Sequence, residues 1–397
     1  MITVIDALMG AGKTSFAIQY INQHPDENIL YIAPYLEEDK RIGDNVKRVM
    51  RYPTFKDGRK FDDLLNLLQC QEDIASTHAL FMKLDHDCKD ILEQGQYTLI
   101  LDETVNVVEP YNLKHKDDIK YLLQKGSIKI DDSGYIEWLD EDIDTRYNEI
   151  KILAQNHSLF FVDKTLLMWR YPPEIFKLFP KVFIMTYMFK ASILRYYLDL
   201  INAEYEIKSL EKSEGQFYVC DYFKPDLSLY RAKIHVYIER DLTENFIQKE
   251  SSLSATWLRS GRHDKEIDII RRNIYNYFTN KEPAKGKQII WTTLKDSQNK
   301  LKGKGYSSRF VSHNCRATND YSEATHLCYA MNKYLDPGVV KFFSYNEIQI
   351  DQDLFALSEM LQWIWRSAIR NNEDIYIYIP SKRMRRLLLE WLDEKYQ

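Results

Sequence analysis

The stretch Ala7-Leu8-Met9-Gly10-Ala11-Gly12-Lys13-Thr14 follows the apolar run Ile2 to Ile5 and leads into Ser15-Phe16-Ala17-Ile18. This order predicts a strand, a tight glycine turn and the start of a helix. The spacing matches the phosphate-binding pattern G-x-x-x-x-G-K-[ST]. Ala7 replaces the first glycine, which the loop tolerates if that position does not need positive φ. We therefore predict a nucleotide-binding P-loop; the alternative is a decayed loop with a purely structural role.

The residue types in this loop suit the chemistry of a triphosphate. Such a ligand needs backbone N–H groups that point inward, a cation near its β/γ oxygens and a hydroxyl for Mg²⁺. The glycines allow the backbone to curl, Lys13 supplies the cation and Thr14 supplies the metal ligand. The predicted nucleotide-binding residues are Ala7, Gly10, Ala11, Gly12, Lys13, Thr14 and Ser15.

A second feature, the apolar run Thr98 to Leu101, is followed by two carboxylates, Asp102 and Glu103. An apolar run before Asp-Glu is common by itself. Here it follows a P-loop at a distance of about 90 residues, and the strands between them would build one parallel sheet, which favours a functional role for the two carboxylates. We predict that Asp102 holds Mg²⁺ through water together with Thr14, and that Glu103 orients and deprotonates the attacking water.

Composition limits the class of protein. The chain has 397 residues, 45% hydrophobic and 28% charged, which suits a soluble globular protein of two or three domains. No apolar run reaches the ~20 residues of a membrane span, and no basic segment precedes the first strand, so we expect a cytoplasmic protein without a membrane partner. Five scattered cysteines without a C-x-x-C pair argue against a disulfide framework or a zinc site. Because the net charge is −5, a nucleic-acid site must be a local basic groove.

Strands that alternate with helices predict an α/β fold with parallel sheets. The first domain is predicted at 1–190, with an insertion at about 111–180 that contains β-hairpins at 126–138 and 158–170. A connecting segment, 191–230, leads to a second domain at 231–397. The predicted elements of the second domain are a strand at 233–238, a helix at 265–279, a strand at 287–293, a helix from Ser322, a strand at 339–343, a helix at 354–369 and a strand at 375–379.

In the helix predicted at 354–369, Gln362, Arg366 and Arg370 recur at intervals of four and would share one face. Two guanidiniums and an amide on one face suit contact with a γ-phosphate, as in arginine fingers. The alternative is a solvated or salt-bridged face.

With these features the chain resembles the helicases of superfamily two, nearest to the helicase-like ATPases of bacteriophages and the viral origin-binding helicases. Motif I is matched by Ala7-x-x-Gly10-x-Gly12-Lys13-Thr14, motif Ia by Ile32-Ala33-Pro34, motif Ib by Ser76-Thr77-His78 and the DExx box by Asp102-Glu103. Motif III is matched by Met185-Thr186-Tyr187, motif V by Arg316-Ala317-Thr318-Asn319-Asp320 and motif VI by Gln362-x-x-x-Arg366-x-x-x-Arg370. Motif III lacks the usual Ser-Ala-Thr. Arg370 lies one position later than in the common motif VI, so Arg366 is the better match to the finger.

The resemblance implies two RecA-like P-loop NTPase lobes, ATP and Mg²⁺ in the cleft, and a nucleic-acid strand that crosses both lobes. Sequence-independent binding of such a strand needs basic residues and aromatic platforms. The candidate residues are the cluster Lys281, Lys285, Lys287, Lys295, Lys300, Lys302, Lys304 and Arg309 with Trp291 and Tyr306, the cluster Lys382, Arg383, Arg385 and Arg386, and Trp169-Arg170-Tyr171 in the insertion. The alternatives are solvated charges and core aromatics.

The predicted function is that of an ATP-dependent DNA helicase or translocase in phage DNA replication or recombination. Its partners would be single-stranded or forked nucleic acid, with DNA favoured over RNA, and replication proteins. One alternative is a terminase-like DNA-packaging ATPase. The other is a P-loop scaffold or regulator that binds nucleotide without motor activity.

Overall fold

The computed structural model describes residues 1–55, 59–113, 115, 117–140, 146–163, 165–238, 249–314 and 320–395, with the backbone alone for 36–39. The chain forms two compact units. The first comprises Met1–Phe223 and Asp336–Ile350, and the second comprises Lys224–Leu335 and Asp351–Gln397. Among the helices in these described ranges, none is both long enough and apolar enough to cross a membrane.

The first unit contains the P-loop sequence. Its strands are β1 (Ile2–Asp6), β2 (Ile29–Ala33), β3 (Ile74–Thr77), β4 (Thr98–Asp102), β5 (Val108–Pro110), β6 (Ile128–Ile130), β7 (Ile136–Trp138), β8 (Leu159–Val162), β9 (Leu166–Arg170), β10 (Lys181–Thr186), β11 (Tyr205–Ser213) and β12 (Gln216–Asp221). Its helices are α1 (Lys13–Gln23), α2 (Leu36–Asn45), α3 (Lys60–Gln69), α4 (His78–Phe81), α5 (Lys89–Gly95), α6 (Asp118–Lys125), α7 (Asn148–Gln155) and α8 (Ile193–Leu200).

The main sheet of this unit has the strand order β12-β11-β1-β10-β4-β2-β3. All neighbours are parallel except β11 and β12, which are antiparallel. All five residues of β2 are buried, as expected for a continuous apolar strand inside a parallel sheet that is covered on both faces. Asp6 pairs with Thr186, and Met185 pairs with Asp102. The carboxyl ends of β1, β10 and β4 therefore meet at one edge, and the loop after β1 lies there.

A polar cluster stabilises the amino ends of strands β4 and β10, opposite the edge that carries the P-loop. The carboxylate of Glu27 accepts hydrogen bonds from the hydroxyls of Tyr20 (2.7 Å) and Thr98 (2.7 Å) and pairs with the ammonium of Lys181. Partial burial acts to raise the pKa of Glu27, but the bonds from Lys181, Thr98 and Tyr20 outweigh it and lower that pKa to about 2. The cluster thus joins α1 to β4 and β10.

The insertion contains two small sheets, β5-β9-β8 and β6-β7, together with helices α6 and α7. Both predicted hairpins are confirmed, because β6 pairs with β7 and β8 pairs with β9, each antiparallel. The segment predicted as a connection, 191–230, has a different role. Most of it continues the first unit, since β11 adds to β1 and β12 closes that edge of the sheet. The first unit therefore extends to Phe223 rather than ending near 190.

The second unit is built on a parallel sheet of β13 (Ile234–Tyr237), β14 (Ile289–Thr292), β15 (His326–Tyr329) and β16 (Ile375–Tyr378), in the order β13-β16-β15-β14. The helices that complete the chain are α9 (Ser228–Lys233), α10 (Ala255–Arg259), α11 (Asp264–Asn276), α12 (Gln298–Leu301), α13 (Pro337–Tyr345), α14 (Gln352–Ile364) and α15 (Lys382–Leu392). Of these, α13 belongs to the first unit.

Two predicted elements of the second half are wrong. The helix predicted from Ser322 is replaced by strand β15, whose apolar residues are buried between β14 and β16. The strand predicted at 339–343 is helix α13 instead. Its first turn carries Pro337, and the carboxylate of Asp336 accepts a hydrogen bond from the N–H of Gly338 (2.8 Å). This cap and the N-terminal proline favour a helix over the strand that the apolar run indicated.

Candidate nucleotide-binding site

The predicted P-loop lies between β1 and α1, at the carboxyl edge of the main sheet. Gly10 and Gly12 have φ of 85° and 94°, in the left-handed region that favours glycine. The N–H of Ala11 donates to the carbonyl of Leu8 (3.1 Å), and the N–H of Phe16 donates to that of Gly12 (2.8 Å). The loop is therefore a tight turn that passes directly into a helix N-terminus, where backbone N–H groups and the helix dipole favour an anion.

The side chain of Lys13 is buried against this loop. Its ammonium donates to the carbonyl oxygens of Ala7 (2.6 Å) and Leu8 (3.1 Å). The ammonium is thus held at the turn by the carbonyl oxygens of the turn itself.

The two predicted metal ligands come together across the sheet edge. The hydroxyl of Thr14 donates to Oδ2 of Asp102 at 3.4 Å. Asp102 is buried at the end of β4, and burial raises its pKa although Tyr31, Lys13 and Thr14 act to lower it. One hydroxyl and one carboxylate, both oxygen donors, fit Mg²⁺, which prefers few protein ligands and keeps several waters.

Glu103, the predicted general base, follows in an unusual backbone conformation. Its φ is 70°, a left-handed value that is uncommon for residues other than glycine. Its N–H donates to the carbonyl of Met185 on β10 (2.9 Å), and its side chain is half-buried. Strained conformations of this kind concentrate at functional sites.

Sequence reasoning missed three residues of this edge. The hydroxyl of Tyr31, on β2, donates to Oδ2 of Asp102 at 2.5 Å. The carboxylate of Asp6 accepts from the N–H groups of Met188 (2.8 Å) and Phe189 (2.9 Å), which fixes the turn after β10. Asp6 ends an apolar strand, a signal that could have identified it.

The third missed residue is Phe217 on β12, whose ring packs against Gly12. No local signal indicates it. His78 belongs to the segment that resembles motif Ib. In the structure its Nε2 lies 3.0 Å from the backbone carbonyl oxygen of Asp102.

The predicted arginine pair does not lie on one helix face. Helix α14 ends at Ile364, because the N–H of Arg366 turns back to Trp363 (3.2 Å) and the hydroxyl of Ser367 donates to Ile364 (2.6 Å). Gln362 is half-buried on the helix and Arg366 is buried just beyond it. Arg370 is exposed in the 3₁₀ turn Ala368–Asn371. Of the motif V match, residues 316–319 lie outside the described residues.

Several candidate nucleic-acid residues have structural roles. Trp291 and Tyr306 are fully buried in the core of the second unit, so neither ring is available to a base. Arg383 is also buried; it pairs with Asp353 (2.7 Å) and donates to Oδ1 of Asn332 (2.9 Å).

The candidate nucleic-acid residues of the insertion are also buried or half-buried. Tyr171 is fully buried and donates to the carbonyl of Phe81 (3.2 Å), and the buried Arg170 lies over the rings of Tyr135 and Phe160. Trp169 is half-buried. Exposed lysines remain, among them Lys281, Lys285, Lys287, Lys302, Lys304 and Lys382.

Comparison with known proteins identifies the family. The SPbeta prophage-derived protein YonV of Bacillus subtilis strain 168 is 38% identical over 414 aligned positions, which cover 99% of each chain. The chain belongs to the YonV family. Family models for the "YonV middle domain" and the "YonV C-terminal Rossmann-like domain" match residues 108–169 and 228–392. In this YonV-family chain the middle domain therefore coincides with the insertion, and the Rossmann-like domain contains the second sheet.

Solved structures show what fold the YonV-family chain adopts. An XPD helicase superposes with a TM-score of 0.54 at 12% identity, covering 99% of this chain and 94% of that one. The Xpd4 structure from S. tokodaii gives a TM-score of 0.49 at 13% identity, covering 100% and 94%. The first likeness establishes the fold alone. The predicted fold class, parallel α/β sheets in two RecA-like lobes, is confirmed.

Proposed function

We propose that this protein is an ATP-dependent nucleic-acid motor, a helicase or translocase, that binds ATP and Mg²⁺ at the P-loop of its first unit. The observation that carries this proposal is the convergence of Lys13, Thr14 and Asp102 at the carboxyl edge of a RecA-like sheet. This edge is where ligands of open parallel sheets bind.

Each residue has a role in the proposed hydrolysis. The loop N–H groups and the ammonium of Lys13 bind and orient the phosphates. Thr14 and Asp102 would hold Mg²⁺, which supplies charge neutralisation at the β/γ oxygens when bound. The carboxylate of Glu103 takes the proton of the attacking water. Arg366 and Arg370, with Gln362, remain predicted sensors of the γ-phosphate.

Nucleic acid is the proposed partner, with single-stranded or forked DNA favoured over RNA. The prophage origin of the Bacillus subtilis relative supports a place in bacteriophage DNA replication or recombination, in the host cytoplasm, where other replication proteins would be its neighbours. Exposed lysines of the second unit provide the salt-sensitive phosphate contacts that a motor requires.

ATP turnover with and without single-stranded DNA tests the proposal. We expect turnover that DNA stimulates and that falls at least ~100-fold in Lys13→Ala and Glu103→Gln. Arg366→Ala should lose the stimulation, and Lys125→Ala, on the exposed end of α6, should behave as wild type. Nucleotide binding without stimulated turnover would instead support the scaffold, and cleavage of duplex DNA would support the packaging ATPase. An unwinding assay on forked, duplex and RNA-containing substrates then separates helicase from translocase.

A further inference from the structure

The hairpin of β11 and β12 fixes an aromatic residue beside the P-loop. Gln19, on α1, makes two hydrogen bonds with the backbone of Phe217: its Nε2 donates to the carbonyl (2.8 Å), and its Oε1 accepts from the N–H (2.8 Å). This paired contact holds β12 against the helix that begins at the loop. The helix that follows the loop, together with the pairing of β12 with β11, therefore fixes the position of Phe217.

The ring of Phe217 covers one end of the loop. A Cβ built on Gly12 would lie 2.2 Å from Cε1 and 2.5 Å from Cζ of this ring, closer than any real contact. A Cβ on Gly10 would meet nothing within 4 Å. The loop is thus open at Gly10 and flanked by an aromatic ring at Gly12, the residue immediately before Lys13.

Part of the Phe217 side chain is accessible from solvent. Phe217 is half-buried, with one side against a core that includes Phe16 and Leu210. The ammonium of the exposed Lys212 lies over the ring, 5.4 Å from its centroid. A flexible surface lysine can leave the ring when another group stacks there.

We propose that Phe217 is the platform on which the nucleobase of a bound nucleoside triphosphate stacks. This inference rests on the proposed function, because it requires the triphosphate at the P-loop. The base is linked through the ribose to phosphates held by the N–H groups of the loop, so it must leave the loop along an adjacent surface, and the ring at Gly12 is such a surface. Because every base has a π-face, stacking tolerates different bases, and several nucleoside triphosphates should bind.

Calorimetric titration in Mg²⁺ buffer with ATP, GTP and inorganic tripolyphosphate tests the proposal. Phe217→Leu keeps an apolar contact with Gly12 but removes the aromatic face. We expect it to weaken ATP and GTP binding by about 5- to 100-fold and to leave tripolyphosphate binding unchanged. Phe217→Tyr retains the ring and should bind ATP as wild type does. The control is Tyr218→Leu, at the exposed next position of β12, which should change neither affinity.

The outcomes separate this inference from the proposed function. Wild-type protein that binds neither ATP nor tripolyphosphate would refute the nucleotide site itself. Tripolyphosphate binding that persists while Phe217→Leu leaves ATP affinity unchanged would refute only the platform. An equal loss of ATP and tripolyphosphate affinity in Phe217→Leu would also overturn it, since the ring would then only support the loop.

Discussion

The packing of Phe217 on Gly12 predicts a strong coupling between these two positions. In Gly12→Ala the backbone keeps its φ of 94°, which costs a residue with a Cβ about 1–2 kcal/mol. The new methyl group also meets Cε1 of the ring at 2.2 Å, far inside the ~3.5–4.0 Å of an ordinary carbon contact. The ring cannot retreat freely because Gln19 holds its backbone, so overpacking adds about 1–3 kcal/mol. The free energy of unfolding of the first unit should therefore fall by roughly 2–5 kcal/mol.

A double-mutant cycle isolates the steric part of this cost. In a Phe217→Ala background the methyl group of Gly12→Ala has no ring to meet, and only the backbone cost of about 1–2 kcal/mol remains. Gly10→Ala is the matched control, because Gly10 also has a left-handed φ, 85°, but has open space around it. Gly10→Ala should therefore lower the free energy of unfolding by the backbone cost alone, and by the same amount in the wild-type and Phe217→Ala backgrounds.

Hydrogen exchange measured at increasing urea, in peptides that cover β1 and α1, reports the stability of the element concerned. Equal costs of Gly12→Ala in the wild-type and Phe217→Ala backgrounds would refute the packing of the ring on the loop. The same result would remove the structural basis for the nucleobase platform.

Three further predictions concern the main sheet. Glu27→Gln should lower the free energy of unfolding by about 1–2 kcal/mol at pH 7, after allowance for solvent exposure. Because the pKa of Glu27 is depressed to about 2 in the folded state, the difference in unfolding free energy between wild type and variant should shrink as the pH falls below about 4.5. Denaturation measured between pH 3 and 7 tests this. Tyr31→Phe removes a donor from the buried carboxylate of Asp102, so it should cost about 1.5–3 kcal/mol in urea titrations and raise the Mg²⁺ concentration needed for half-maximal ATP binding. Glu103→Gly relieves a left-handed φ, so it should raise the free energy of unfolding by about 1 kcal/mol while ATP turnover is lost. The control is Glu214→Gly, at a φ of 51° in the β11–β12 turn, which should give a similar gain in thermal denaturation with turnover unchanged.

The parts of the site that the sequence predicted are those with local signals. The P-loop is encoded by glycines, a lysine and a hydroxyl at fixed spacing, and Asp102 and Glu103 follow a short apolar strand. Both insertion hairpins were predictable from two apolar runs that lie close together in the sequence, and the first also has the turn residues Asp-Asp-Ser-Gly between its runs. Such patterns determine backbone conformation within about ten residues, so no knowledge of the tertiary fold is needed.

The parts that were missed depend on tertiary contacts. The edge position of β12 follows from the addition of β11 to β1, and nothing near Phe217 in the sequence indicates that its ring reaches Gly12. The regular spacing of Arg366 and Arg370 suggested one helix face, but the helix ends first. Trp291 and Tyr306 alternate with lysines as base-stacking residues would, yet they fill the core of the second unit. Periodicity does not distinguish a buried aromatic residue from one that faces a ligand.

The backbone at the carboxyl edge of the main sheet bears on the two interpretations of the P-loop, a ligand site and a decayed structural loop. Left-handed residues occur after three adjacent strands: Gly12 after β1, Met188 after β10 and Glu103 after β4. The last two are not glycine, and each such residue costs of order 1 kcal/mol, which persists only where the surrounding structure fixes it. Here Asp6 fixes the turn of Met188 through two N–H groups, at the expense of burying a carboxylate whose pKa burial raises. A loop with a purely structural role would gain nothing from strain and buried charge in the same place. The combination of the two left-handed residues with the buried carboxylate of Asp6, beside Lys13 and Asp102, therefore favours a site organised to bind a ligand over the structural alternative.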